Sequence, residues 1–156
     1  MGRDKAGIVV SGETLAERAE RVLAEVADPV VVVGSEYGGG PLVALATAVE
    51  RGVIPTDRAA LVLAVDMPFV EPGFLRRLAD HPADGSVVPV DETGRWQPLC
   101  ARWSAAALAA LPALVAGGAR SMHAWLDAVP VVAVVADDPA VLTDLDAPED
   151  LARLGD

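Results

Sequence analysis

Cysteine, histidine and lysine are nearly missing from this chain. A single cysteine, Cys100, in 156 residues excludes a disulfide framework. With only two histidines beside it, a zinc site is disfavoured as well. Lysine occurs once, at Lys5, and arginine supplies the remaining positive charge, 12 basic residues against 23 acidic ones. The net charge of −11 is a poor match for a nucleic-acid backbone or an anionic membrane surface. No run approaches the roughly 18 apolar residues of a membrane span. The N-terminus is charged from Arg3 onward, unlike a signal peptide. These absences predict a soluble cytoplasmic protein that engages neither nucleic acid nor membrane. Small anionic ligands stay open, because a local site needs only a few donors or a metal.

What is present is apolar. Hydrophobic residues make up 53% of the chain, which excludes disorder. The length suits one domain, residues 1–156, with a core that needs no staples. Short β-branched runs alternate with Ala/Leu-rich helical stretches, the pattern of an α/β domain with a mainly parallel sheet. Ile8 to Val10 predicts a brief strand closed by Ser11-Gly12, and Leu15, Ala19, Val22, Leu23 and Val26 share one helical face. After Asp28-Pro29, the run Val30 to Val33 predicts a strand buried on both faces. Gly38-Gly39-Gly40-Pro41 opens a helix with Leu42, Leu45, Ala46 and Val49, proline fitting the first helical position.

Ala60 to Val65 predicts a buried strand ending at Asp66-Met67-Pro68, followed by a helix with Phe74, Leu75 and Leu78. Ser86 to Val90 and Pro98 to Trp103 flank an Asp91-Glu92-Thr93-Gly94 turn. Helices from about Ser104 and Ser121 and a strand from Val131 to Val135 follow. Asp146-Ala147-Pro148-Glu149 has the pattern of a capping box at the last helix.

Asp66 stands out chemically. It follows a strand directly, at the carboxyl end where open α/β sheets place ligands. A carboxylate there is suited to holding Mg²⁺ against nucleotide phosphates, or else to capping the next turn. Gly38-Gly39-Gly40-Pro41 offers backbone N–H groups at a helix start, an anion site or a tight turn; no Gly-Lys-Ser/Thr follows, so it is not a P-loop. Lys5 suits a phosphate as a point charge, or is an ordinary terminal residue. Asp144 and Asp146 are carboxylates available to a metal shared with Asp66, and Asp146 also reads as an N-cap. Arg95, Gln97 and Arg102 suit an anionic ligand or a solvated edge. His81 and His123 read as surface and packing residues, and with no serine or cysteine nucleophile beside them there is no acyl-transfer constellation.

Taken in order, these segments resemble the molybdenum cofactor guanylyltransferase family within the nucleotidyltransferases. Met1-Gly2-Arg3-Asp4-Lys5 is similar to the end of the opening signature Leu-Ala-Gly-Gly-x-Ser-x-Arg-Met-Gly-x-Asp-Lys, and Gly12-Glu13-Thr14-Leu15-Ala16-Glu17-Arg18 to the segment after it. Gly40-Pro41-Leu42 resembles the family's helix start and Asp66-Met67-Pro68-Phe69 its metal motif. Gln97-Pro98-Leu99 and Asp144-Leu145-Asp146-Ala147-Pro148-Glu149-Asp150-Leu151 resemble its substrate-side and C-terminal motifs. Two departures stand out. The family's first strand and Gly-Gly loop have no counterpart, which predicts exposed apolar surface and a sheet open to a strand from a partner chain. The stretch from Val33 to Gly38 is short, leaving Glu36 as the stand-in for a nucleotide-contacting acid.

The resemblance implies a three-layer Rossmann-like nucleotidyltransferase fold with a mainly parallel, mixed sheet, N-terminally truncated. It implies transfer of GMP from GTP to molybdopterin with release of pyrophosphate. Asp66 would hold Mg²⁺ with Asp146 or Asp144, and Lys5 would act beside Asp66 on the triphosphate. Arg3, Lys5, Glu36, Gly39, Gly40, Pro41, Leu42, Gln97 and Pro98 would contact nucleotide or substrate. Partners would come from molybdoenzymes or cofactor-biosynthesis proteins. A related transferase using CTP or a sugar phosphate, and a non-catalytic binding module, remain as alternatives.

Overall fold

The computed structural model describes residues 6–145. The chain opens with a hairpin of β1 (Val9–Val10) and β2 (Glu13–Thr14), in which Val9 faces Thr14 and Val10 faces Glu13. Its two-residue turn places Ser11 and Gly12 at φ 51° and 89°, the left-handed pair that matches the twist of a hairpin. Helix α1 (Leu15–Ala24) starts at once, with a capping box closed by Thr14 and Glu17, and buries Leu15, Ala19 and Val22.

A four-stranded sheet follows in the order β3-β5-β4-β6, from β3 (Ala60–Leu63), β4 (Ser86–Val90), β5 (Cys100–Trp103) and β6 (Val131–Val135). β5 is antiparallel to both of its neighbours, and β4 pairs with β6 in parallel. Thus β3, β4 and β6 run one way and β5 alone runs against them. This mixed sheet carries helices on both faces. α2 (Pro41–Glu50), α4 (Ala105–Ala116) and α5 (Met122–Ala128) bury Leu42, Leu108, Leu111 and Trp125 against Val88 and Trp103. The Trp103 and Trp125 rings stack there, 3.6 Å apart and 7° from parallel. On the other face α1 and α3 (Pro72–Ala79) set Val22, Phe74, Leu75 and Leu78 against Val87 and Cys100.

Two apolar runs depart from the sequence reading. Val30 to Val33 carries no ladder, and Val31 and Val32 are 43% and 53% exposed. An apolar run becomes a buried strand only where its backbone finds a partner, and a cavity lies across from it instead. β3 ends at Leu63 rather than Val65, and all four of its residues are only half-buried, because it closes the sheet order and borders the same cavity. The capping box expected at Asp146 lies outside the described residues. Among the described residues no helix is long and apolar enough to cross a membrane.

Candidate active site

The cavity beside β3 has a volume of about 910 Å³, and its lining includes the residues of greatest chemical interest. Asp66 reaches it at the end of the segment that continues β3, half-buried. The loop is held from two sides. Leu145 donates its amide to the Asp66 carbonyl at 2.8 Å, and Arg18 donates from Nε to the Pro68 carbonyl at 2.7 Å. Met67 and Pro68 are buried behind it, so the Asp66 backbone is fixed by packing as well as by hydrogen bonds.

Gly38, Gly39, Gly40 and Pro41 line the same cavity. The three glycines sit at φ 69°, 70° and 81°, a run of left-handed backbone that side chains resist. Gly39 is required twice over: a Cβ there would lie 2.4 Å from the Cγ1 of Val43. Gly40 caps α2 without a side-chain hydrogen bond, and Pro41 removes one donor from the first turn. The first-turn N–H groups of Leu42 and Val43 have no partner among the described residues. The positive end of a ten-residue helix is therefore led into by glycines that line the same cavity as Asp66.

Asp144 precedes Leu145 and so is brought to the Asp66 segment by the backbone bond between them. Its carboxylate lies 3.7 Å from the Arg95 guanidinium. Asp66 and Asp144 are the carboxylates these two segments offer to a divalent cation. No group of three or more His, Cys, Asp or Glu suited to a metal occurs among the described residues.

Other sequence candidates lie outside the cavity or are engaged within the fold. Leu42 is fully buried in the core and its side chain does not reach the cavity. Exposed Glu36 folds back over Gly34, its carboxylate occupying the space of a Cβ there. Gln97 donates to the Asp91 carboxylate at 3.4 Å, and the Pro98 carbonyl accepts from the Trp103 indole at 3.1 Å; neither lines the cavity. Arg102, weighed as an anion contact, is spent on the carbonyls of Ala79, His81, Ala83 and Gly85. Arg3, Lys5 and Asp146 lie outside the described residues. Cys100 is no nucleophile, since burial pushes its thiol up to about 12. Arg18 was not among the sequence candidates, because its role arises from a contact fifty residues away.

Residues 33–130 match the family model of the MobA-like NTP transferase domain. The chain belongs to this family. The span covers the glycine loop, Asp66 and strands β3, β4 and β5, ending just before β6, and family members are nucleotidyltransferases. A probable molybdenum cofactor guanylyltransferase of Opitutus terrae is 34% identical over 83% of this chain and 72% of its own length. Another from Mycobacterium avium is 31% identical over 99% of this chain and 88% of its own length. That alignment spans 175 positions against the 156 residues here, so the relative carries residues within the matched region that this chain lacks.

The crystal structure of molybdopterin-guanine dinucleotide biosynthesis protein A from Archaeoglobus fulgidus has a TM-score of 0.70 at 20% identity, covering 99% of this chain and 90% of that one. The 2-C-methyl-D-erythritol 4-phosphate cytidylyltransferase of Thermus thermophilus gives 0.67 at 21%, covering 97% and 92%. Both share the Rossmann-like nucleotidyltransferase fold.

Proposed function

We propose that this chain transfers GMP from GTP to the terminal phosphate of molybdopterin and releases pyrophosphate. The observation that carries the reading is that Asp66 and the glycines before α2 line one cavity, in a chain whose relatives are named guanylyltransferases. A phosphate oxygen of the acceptor attacks the α-phosphorus in line. The bond from that phosphorus to the bridging oxygen breaks, and pyrophosphate departs with the electron pair. Such a step asks the protein for positioning and charge neutralisation rather than for a nucleophile. The positive end of α2 would favour phosphate oxygens, and the bare glycines that line the cavity before it would let the ligand approach the chain closely. Lys5 adds a point charge for the triphosphate.

Mg²⁺ suits the donor set. It favours oxygen ligands and is commonly held by one or two carboxylates, with substrate phosphates and waters completing the shell. Asp66 would supply one such carboxylate, and Asp144, carried on the segment whose Leu145 amide bonds the Asp66 carbonyl, or Asp146 a second. Bound there, the ion would neutralise charge on the phosphate oxygens. Asp66 holds its place because Arg18 and Leu145 fix the loop on either side.

The test is pyrophosphate release from each of the four nucleoside triphosphates, with and without molybdopterin and Mg²⁺. Release with GTP that requires molybdopterin is the expected result. Release with CTP instead would reassign the nucleotide. Binding by calorimetry without release from any triphosphate would identify a binding module and overturn the transferase reading.

A further inference from the structure

Arg18 reaches the Asp66 loop without lining the cavity. It stands on the first half of α1, and Glu13, beside it, lines no part of the cavity either. Its Nε donates to the Pro68 carbonyl at 2.7 Å, and its Nη1 donates to the Glu13 carboxylate at 3.3 Å. Glu13 also accepts twice from Arg21, at 2.7 and 3.1 Å, so one carboxylate braces two arginines. Glu13 is itself fixed on β2 by its pairing with Val10. Two further bonds fasten the chain before β1 to the helix start. The Leu15 amide donates to the Ile8 carbonyl at 2.9 Å, and the Ala16 amide to the Ala6 carbonyl at 3.2 Å. Residues 6–8, the hairpin, α1 and the Asp66 loop are thus one connected unit.

We propose that Arg18, braced by Glu13, is a positioning residue that sets the angle of the Asp66 loop for the transfer step, a role that rests on the transferase reading above. Packing alone leaves that angle open. Val22 of α1 shares an apolar cluster with Met67 and Val70, but apolar contact is non-directional and sets distance rather than rotation. A hydrogen bond is directional. The Leu145 amide holds the Asp66 carbonyl and Arg18 holds the Pro68 carbonyl, so buried Met67 is clamped at both ends. With one clamp released, the loop pivots about the other. Arginine suits the task because its planar fork donates in two directions at fixed angles, which a lysine ammonium does not. Glu13 takes up the second direction. A half-exposed arginine otherwise samples many rotamers, and a charged acceptor on its outer edge keeps it in the one that meets Pro68. Arg18 acts through the loop rather than on the nucleotide, so its loss falls on the rate and not on nucleotide affinity.

Steady-state pyrophosphate release and hydrogen exchange of the whole protein provide the test. Arg18→Ala is expected to lower kcat by about tenfold or more and to leave the KM for GTP within about twofold. The amides of Met67 and Val70, bonded to the Ala64 and Met67 carbonyls, should exchange about tenfold faster, with β4 and β5 unchanged. Methylguanidine in solution, the missing fork as a free ion, should raise the Arg18→Ala rate by about threefold. Arg18→Lys keeps charge and stem and should recover only part of the rate. Glu13→Ala should cost about threefold, since Pro68 keeps its donor without the brace. Arg21→Ala removes the same charge from the same helix and the same carboxylate, and should leave both readouts level. An equal loss in Arg21→Ala would overturn the proposal, because helix charge would then be the cause. So would a raised KM at unchanged kcat, or exchange at Met67 and Val70 unmoved by Arg18→Ala. A native chain that releases no pyrophosphate would end the transferase reading alone; exchange in Arg18→Ala would still decide whether Arg18 holds the loop.

Discussion

At the scale of single residues, the site depends on two kinds of constraint. On the proposed reading Asp66 supplies a carboxylate to the cavity it lines, and Gly39 lets the chain turn into α2. Replacing Asp66 by Asn keeps size and hydrogen-bonding capacity but removes the charge. Turnover is expected to fall by about two to three orders of magnitude, the range seen when one electrostatic contact to a transition state is lost. The midpoint of thermal unfolding should stay within about two degrees, because the loop is held through backbone carbonyls that the substitution leaves alone. Undiminished pyrophosphate release would remove Asp66 from the reaction.

Gly39→Ala acts through the fold. Its φ of 70° is strained for alanine, and the new methyl would press on Val43. Denaturant unfolding should show a loss of about 1–3 kcal/mol. Val43→Ala in the same background relieves the contact but not the backbone, so only part should return. The order of these residues was legible in the sequence, since a carboxylate after an apolar run and glycines before a helical proline are local signals. Arg18 was not legible. Its importance lies in reaching the Pro68 carbonyl, and spacing along the chain carries no trace of that contact.

At the scale of elements, α1 shows how the chain enters the fold. Thr14 accepts from the Glu17 amide, and the Glu17 carboxylate accepts from the amide and hydroxyl of Thr14. Thr14→Ala should lower stability by about 1 kcal/mol, a fall of roughly 2–4 °C in the midpoint for a chain of this size. The same bonds set an acid limit. Hydrogen bonding from Thr14 holds the Glu17 carboxyl below its ordinary value. Arg21 does the same for Glu13, and the Thr93 hydroxyl does so for Asp91.

A carboxyl whose folded value is depressed contributes stability above its unfolded value, about 4, and loses it as pH falls through the folded one. Thermal midpoints should therefore be level from neutral pH down to about 5 and decline below. Glu17→Gln should flatten part of that decline; an unchanged acid limb would refute the assignment. The Thr-x-x-Glu spacing of this box was open to reading in the sequence. The state of Val30 to Val33 was not. Its hydrophobicity promised a strand, and hydrophobicity reports only burial, whereas a strand also needs a partner for its backbone. The shorter, half-buried β3 has the same origin on the other side of the cavity.

At the scale of the whole molecule, an acidic body surrounds a site proposed to take a polyanion. With a net charge of −11 the long-range field opposes an approaching triphosphate. On the proposed reading, attraction comes from the α2 N-terminus, from a cation at Asp66 and from Lys5. These two contributions respond differently to salt. Repulsion between separated charges decays over the Debye length, which shrinks from about 30 Å at 0.01 M to about 8 Å at 0.15 M ionic strength. Contacts inside a half-buried mouth are screened far less. Raising salt across that range should therefore leave the KM for GTP level or lower it, at fixed free Mg²⁺. A protein that captures nucleotide with a basic surface would show the reverse. A severalfold rise in KM would mean that nearby cationic side chains dominate the encounter, and would shift the binding role from the helix start to arginines such as Arg95. With Arg95→Gln the rise should then vanish, whereas a level profile in both proteins would keep Arg95 in its pairing with Asp144.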